Sequence, residues 1–256
     1  IMTDMIPDLH LNGDSQCFPL YYYDEQATNQ VSLFDEPGSS QYVRRDGVSD
    51  FILKRARAQY GKNVTKEDVF YYVYGVLHSS DYRERFANDL KRMLPRLPLV
   101  TDRNDFWAFS DAGRKLAELH INYEDVPAYP GVCVDGTEVG NYRVEKMRFR
   151  RVRVVVDGKT KTVDDKSTIH YNSAIKISNI PDRAYQYVVN GRSAIEWIMD
   201  RYQIRTDKKS GITNDPNDWA KEVGNPRYIL DLLLSVINVS VQTVDIVDNL
   251  PKLKFD

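Results

Sequence analysis

The densest chemistry in this sequence is cationic. Residues 142–161, YRVEKMRFRRVRVVVDGKTK, hold Arg143, Lys146, Arg148, Arg150, Arg151, Arg153, Lys159 and Lys161 against only Glu145 and Asp157, an island of about +6 in a 256-residue chain whose formal charge is -2. Crowded guanidinium and ammonium groups repel one another, and a polyanion relieves that repulsion by neutralising them and releasing its own condensed counterions. Nucleic acid is the first candidate polyanion. The competing reading is that exposed strand edges are made cationic simply to prevent edge-to-edge aggregation.

Two further stretches carry recognition chemistry. The segment RTDKKSGITNDPND, 205–218, gathers Lys208, Lys209, Asn214 and Asn217 around Gly211, and the segment HYNS, 170–173, presents Asn172 beside hydroxyl and aromatic groups. Amide and basic groups of this kind pair with base edges and phosphates, although a polar connection between helices has the same composition. The candidate DNA contacts are therefore Lys146, Arg148, Arg150, Arg151 and Arg153 in the basic island, with Asn172, Lys208, Lys209 and Asn214 in loops.

Catalytic signatures are not found. The sequence has no Gly-x-x-x-x-Gly-Lys-Ser/Thr phosphate loop and no Gly-x-Gly-x-x-Gly after a strand. His10, His78, His120 and His170 stand apart, none with a His or Cys at metal-ligand spacing, and read as structural or surface histidines. No carboxylate pair announces acid–base work. Asn214-Asp215-Pro216 and Asn225-Pro226 lack the second proline and the aromatic of an Asn-Pro-Pro-Tyr base-flipping site, so a turn and a helix start explain them better.

The elements that position the cations follow from periodicity. Val152, Val154 and Val156 alternate with Arg151 and Arg153, a strand with one buried and one wet face, and Asp157-Gly158 favours a type I′ hairpin turn. A basic two-stranded ribbon is expected, within an antiparallel sheet of strands at 142–149, 151–156, 159–163, 168–171 and 175–177. Upstream, 48–123 reads as helices: Asp50 caps 51–60, Thr65 and Asp68 form a capping box with Val64 and Val69 as a staple, a helix follows Ser80 with Tyr82, Phe86 and Leu90 on one face, and another spans 105–120. Downstream come a short helix near Pro181, a second capping box of Ser193 and Glu196 for 194–202, and a longest helix opened by Asn225-Pro226. Residues 1–45 hold a short strand in 17–23 and turn signals at 12–14 and 37–40, the end reading as linker. The expected architecture is α+β, a helical subdomain followed by a mostly antiparallel sheet packed with helices, divided as 1–45, 46–125 and 126–256.

Composition sets the class. An apolar content of 42% suffices for a core, two distant cysteines, Cys17 and Cys133, suggest neither a disulfide framework nor a zinc site, and the expected compartment is the reducing cytoplasm. No apolar run approaches the ~20 residues of a membrane span, and no signal peptide is visible. The start at Ile1 suggests a piece of a longer chain.

Several long strings carry a resemblance. IPDLHLNGDSQCFPLYYY, VTKEDVFYYVYGVLHSSDYRERFANDLKRMLPRLPLV, DFWAFSDAGRKLAELHINYE, YQYVVNGRSAIEWIMDRYQIRTDKKSGITNDPNDWA and PRYILDLLLSVI are similar to the C-terminal part of type ISP restriction-modification enzymes. Those are single polypeptides combining a nuclease, a helicase-like motor, an N6-adenine methyltransferase and a target recognition domain. The resemblance implies that residues 1 to about 40 are the methyltransferase tail and the rest the target recognition domain with its helical support. It implies no catalysis and no cofactor for this segment, S-adenosylmethionine, ATP and Mg belonging to upstream domains. Residues 126–163 carry least of the resemblance, so the candidate contacts rest on their chemistry. The expected partners are double-stranded DNA and the upstream methyltransferase and helicase domains. The alternative is a coupling module that docks on those domains without touching DNA; Tyr71, Tyr72 and Tyr74, clustered on one helix of 46–125, could serve such docking, although aromatic clusters are more often core than interface.

Overall fold

The computed structural model describes residues 2–5, 16–25 and 42–254, so the turn signals at 12–14 and 37–40 lie outside the described residues. The architecture is α+β, in two compact units: Ile1–Ile121 with Asn249–Asp256, and Asn122–Asp248.

The first unit pairs β1 (Tyr21–Glu25) with β2 (Tyr42–Asp46) in an antiparallel ribbon. Four helices follow: α1 (Asp50–Tyr60), α2 (Lys66–His78), α3 (Ser80–Arg85) and α4 (Arg103–Ile121). The cap of α1 is Ser49, whose hydroxyl accepts from the Ile52 amide; Asp50 is instead the first helical residue, where its carboxylate faces the positive end of the helix dipole. The Thr65/Asp68 capping box forms as expected, and Val64 and Val69 are both buried. The helix after Ser79 is shorter than the spacing of Tyr82, Phe86 and Leu90 suggests: it ends at Arg85, and the chain continues as turns to Met93.

Helices α2 and α4 cross at glycines. A Cβ on Gly113 would stand 1.8 Å from the Tyr71 carbonyl oxygen, and one on Gly75 2.2 Å from that of Phe109, so only glycine admits this approach. Tyr60 stacks on Phe106 at 4.2 Å and Tyr72 at 4.9 Å. The hydroxyls of Tyr60, Tyr72 and Tyr82 donate to the carbonyls of Val100, Pro98 and Arg96, supplying a segment outside any helix or strand with the partners its backbone needs. Of the clustered tyrosines, Tyr72 and Tyr74 belong to the core, and Tyr71 lies under the Arg114 guanidinium at 4.3 Å.

The second unit is built on a four-stranded antiparallel sheet in the order β3 (Cys133–Asp135), β6 (Lys176–Ser178), β5 (Lys159–His170), β4 (Arg148–Val156). Two small hairpins, β7–β8 (Val188–Val189, Arg192–Ser193) and β9–β10 (Arg205–Thr206, Thr213–Asn214), flank α5 (Ala194–Arg201). Next come α6 (Asn217–Glu222) and α7 (Tyr228–Asp248). The Ser193/Glu196 capping box starts α5 as expected. Ile169, Tyr171, Ile175 and Ile177 from the sheet region pack with Ile195 of α5 and Ile229, Leu233 and Ile237 of α7. Helix α7 reaches the length and mean hydropathy, 1.6, of a membrane span, contrary to the sequence reading, but 78% of its apolar window is buried, as befits a core helix.

The strand expected at 142–149 begins only at Arg148. Residues 142–147 have no ladder, and the Asn217 side chain replaces one: its Oδ1 accepts from the Val144 amide at 2.8 Å and its Nδ2 donates to the Val144 carbonyl at 2.7 Å.

Candidate nucleic-acid interface

The cationic island becomes a hairpin arm. At its base Phe149 pairs with Ile169, which is fully buried, so the arm is rooted in the core of the second unit. Beyond that point the register breaks: Arg150 pairs with Asp165, leaving 166–168 as an insertion in β5, and the two strands continue in register to Val156 opposite Lys159. Asp157 and Gly158 close the arm with φ of 52° and 72°, both positive as a type I′ turn demands. Strand β6 pairs with β5 only at Ile169 and His170, so the outer arm is two-stranded.

The arm does not bury one face as the alternation suggested. Val155 is 72% exposed, Val156 and Val163 are also exposed, and Val152 and Val154 are half-buried without joining the core. Alternation places Arg151, Arg153 and Val155 on one side, so Arg151 and Arg153 share an exposed face as expected, while Arg148 and Arg150 lie on the other side with the half-buried Val152 and Val154.

The candidate cations divide by partner. Arg150 donates from Nε at 2.9 Å and Nη2 at 2.5 Å to Asp165, and Arg151 lies 3.6 Å from Asp164. The Asp165 carboxyl is held below the ordinary carboxylate range, first by the Ser167 hydroxyl and amide and then by Arg150. Lys146, Arg148 and Arg153 form no ion pair among the described residues, and neither do Lys159 and Lys161.

Asn172 is fully engaged in loop structure. Its Nδ2 donates to the carbonyls of Asn141 and Arg143 at 2.9 and 3.0 Å, and its Oδ1 accepts from the amides of Ala174 and Ile175. An amide with both donors and its acceptor used has nothing left for a base edge.

The polar stretch after α5 is a hairpin, not an open loop. Asp207 accepts from the amides of Ser210 and Lys209 and from the Ser210 hydroxyl, bonds that hold its carboxyl low, and the turn lifts Lys208 and Lys209 into solvent without an ion pair among the described residues. Asn214 sits on β10 opposite Arg205, and is exposed. An open cleft of about 570 Å³ joins this hairpin to the arm: Lys146 and Phe149 line it together with Arg192, Glu196, Asp200 and Arg205. Arg192 and Arg205 both reach Asp200, at 3.5 and 2.5 Å, and Arg192 and Arg201 each lie over Trp197, 5.3 and 5.2 Å from its ring. The sequence reading missed this cluster, whose one local signal is Asn190-Gly191, the turn that delivers Arg192.

An arm of cations is thus rooted beside a cleft lined by both cations and carboxylates. The chain belongs to the Type ISP C-terminal specificity domain family, whose sequence model matches residues 1–232. Among solved structures it is similar to the ATP-dependent Type ISP restriction-modification enzyme LlaBIII bound to DNA, with TM-score 0.77 and 39% identity over 99% of this chain and 15% of that one. It is similar to a nuclease-deletion mutant of the Type ISP enzyme LlaGI in complex with a DNA substrate mimic, with TM-score 0.63 and 50% identity over 76% of this chain and 17% of that one. The DrdV–DNA complex aligns with TM-score 0.75 and 28% identity over 99% of this chain and 23% of that one. The chain thus spans less than a quarter of the length of these enzymes. No curated protein matches it.

Proposed function

We propose that this chain is the sequence-specific double-stranded DNA recognition module of a single-chain restriction-modification enzyme, positioning a target for methylation or licensing a motor carried elsewhere in the polypeptide. The observation that carries this reading is the arm from Arg148 to His170, two-stranded beyond Phe149 and Ile169 where it leaves the core, which presents Arg148 and Arg153 without an ion pair among the described residues. A two-stranded ribbon fits the major groove of B-DNA, where arginine pairs with guanine O6 and N7. Arg153 and Arg148 are the proposed base readers, and Lys146, Lys208 and Lys209 the proposed phosphate contacts, with Asn214 beside them. Arg150 and Arg151 take part after exchanging a carboxylate, and Asn172 holds the adjoining loop. The DNA-bound relatives support the same reading. Residues 126–256 form the recognition part in this scheme and 46–125 its support, with no reaction catalysed by this segment alone.

Selection of binding duplexes from a random pool by the purified chain, followed by titration of the enriched duplex at several salt concentrations, tests the proposal. Arg148→Ala and Arg153→Ala are expected to weaken binding by about 1–3 kcal/mol where the residue reads a base, and Lys146→Ala to reduce the salt slope by about 1. Failure to enrich any duplex, or unchanged affinity and salt slope in all three variants, would remove it in favour of a coupling module.

A further inference from the structure

We propose that Asp164 and Asp165 are specificity-determining residues: they occupy Arg151 and Arg150 in the free protein, so that these arginines engage DNA only where a base edge or phosphate displaces the carboxylate. This rests on the arm being the DNA-contacting element.

The geometry separates these two arginines from their neighbours. Arg150-Arg151 on β4 stands directly opposite Asp164-Asp165 on β5, Arg150 in register with Asp165 and Arg151 with Asp164. Strand alternation sends one ion pair to each side of the arm, so neither side presents a continuous row of available cations. The flanking Arg148 and Arg153 face His170 and Thr162, which offer no negative charge. The acidic partners are placed rather than incidental: Asp165 Oδ1 accepts from the Ser167 amide at 3.0 Å and hydroxyl at 2.6 Å, which leaves Oδ2 to Arg150. Both arginines stay reachable, their side chains 53% and 79% exposed.

The energetics suit a filter. A solvent-exposed ion pair shifts an equilibrium by only about two- to fivefold, so exchange is easy where a well-aimed DNA acceptor waits and unrewarded at a poorly aligned phosphate. Two free arginines would instead bind any duplex: each phosphate neutralised adds about 0.9 to the slope of log affinity against log salt. The pairs also align the two strands, and the sign of the effect separates the roles. A lost register staple weakens binding to every duplex, whereas a lost filter strengthens binding to random sequence.

The experiment compares the native chain with the double variant Asp164→Asn/Asp165→Asn, isosteric replacements that retain an acceptor for Ser167. Affinity for a random-sequence duplex pool is measured by fluorescence anisotropy from 50 to 200 mM salt, and each protein then selects duplexes from that pool. The variant should bind the pool more tightly at low salt, by on the order of tenfold, with a slope steeper by about 1.8, and should enrich a more degenerate motif. Asp164→Asn alone, which leaves the Ser167 contacts untouched, should give about half the slope change, and Asp164→Glu should keep the native slope. Unchanged pool affinity and slope, or a uniform loss for all duplexes, overturns the filter. Arg148→Ala/Arg153→Ala on the same pool distinguishes the two ideas: if it weakens binding while the aspartate variants behave as native, only the filter fails. If it also changes nothing, or the native chain binds no duplex, the DNA reading fails with it.

Discussion

Replacing Asn217 by alanine should unseat the segment that leads into the arm. The Val144 amide and carbonyl both bond to the Asn217 side chain, at 2.8 and 2.7 Å, while Val144 is fully buried and Asn217 6% exposed. Removing the amide leaves a buried donor and a buried acceptor unpaired, each costing about 1–3 kcal/mol, so the second unit should lose about 3 kcal/mol after some relaxation. Urea unfolding, with hydrogen exchange at the Val144 amide, reads both the global and the local effect. Because Lys146 and Arg148 follow within four residues, the variant should also bind DNA more weakly. Asn217→Asp sharpens the case. The new carboxylate would lie beside Asp215, whose oxygen now accepts from Asn217 Nδ2 at 2.6 Å. It could not donate to Val144 until protonated, so its loss should be larger at pH 7 than at pH 5. A shift below about 1 kcal/mol in Asn217→Ala, with the Val144 amide still protected, would refute the argument that this side chain substitutes for a strand.

Other outcomes test the rest of the framework. Burial lowers the pKa of His78 to about 4 and of His120 to about 3, below the unfolded value, so their contribution is present above pH ~6.5 and lost on acidification. The first unit should lose on the order of 5 kcal/mol between pH 7 and 4.5, seen as a falling urea midpoint, and His120→Gln should flatten that dependence. Gly113→Ala drives a methyl group into the Tyr71 carbonyl and should cost at least about 3 kcal/mol, measured as a lowered melting temperature; a neutral result would mean the helices can separate freely. Gly158→Ala, at φ 72° with nothing within 4 Å, should cost about 1 kcal/mol in the arm alone, raising hydrogen exchange across the β4–β5 tip while the core melts unchanged.

What was legible in the sequence is what local physics decides. The two capping boxes, the Asp157-Gly158 turn and the α+β pattern each depend on residues within a few positions of one another. The cationic island, too, was visible as composition. Tertiary structure decided which of those cations are available, because Asp164 and Asp165 meet Arg151 and Arg150 only through a register that a three-residue insertion in β5 sets. It likewise engaged Asn172 with four backbone groups, put the side chain of Asn217, 73 residues from Val144, in place of the first part of a predicted strand, and drew Arg192 and Arg205 onto one carboxylate. Short-range propensities act along the chain and can be read there. Charge neutralisation and backbone satisfaction are settled by whichever groups folding brings within about 3 Å, and sequence distance does not encode that.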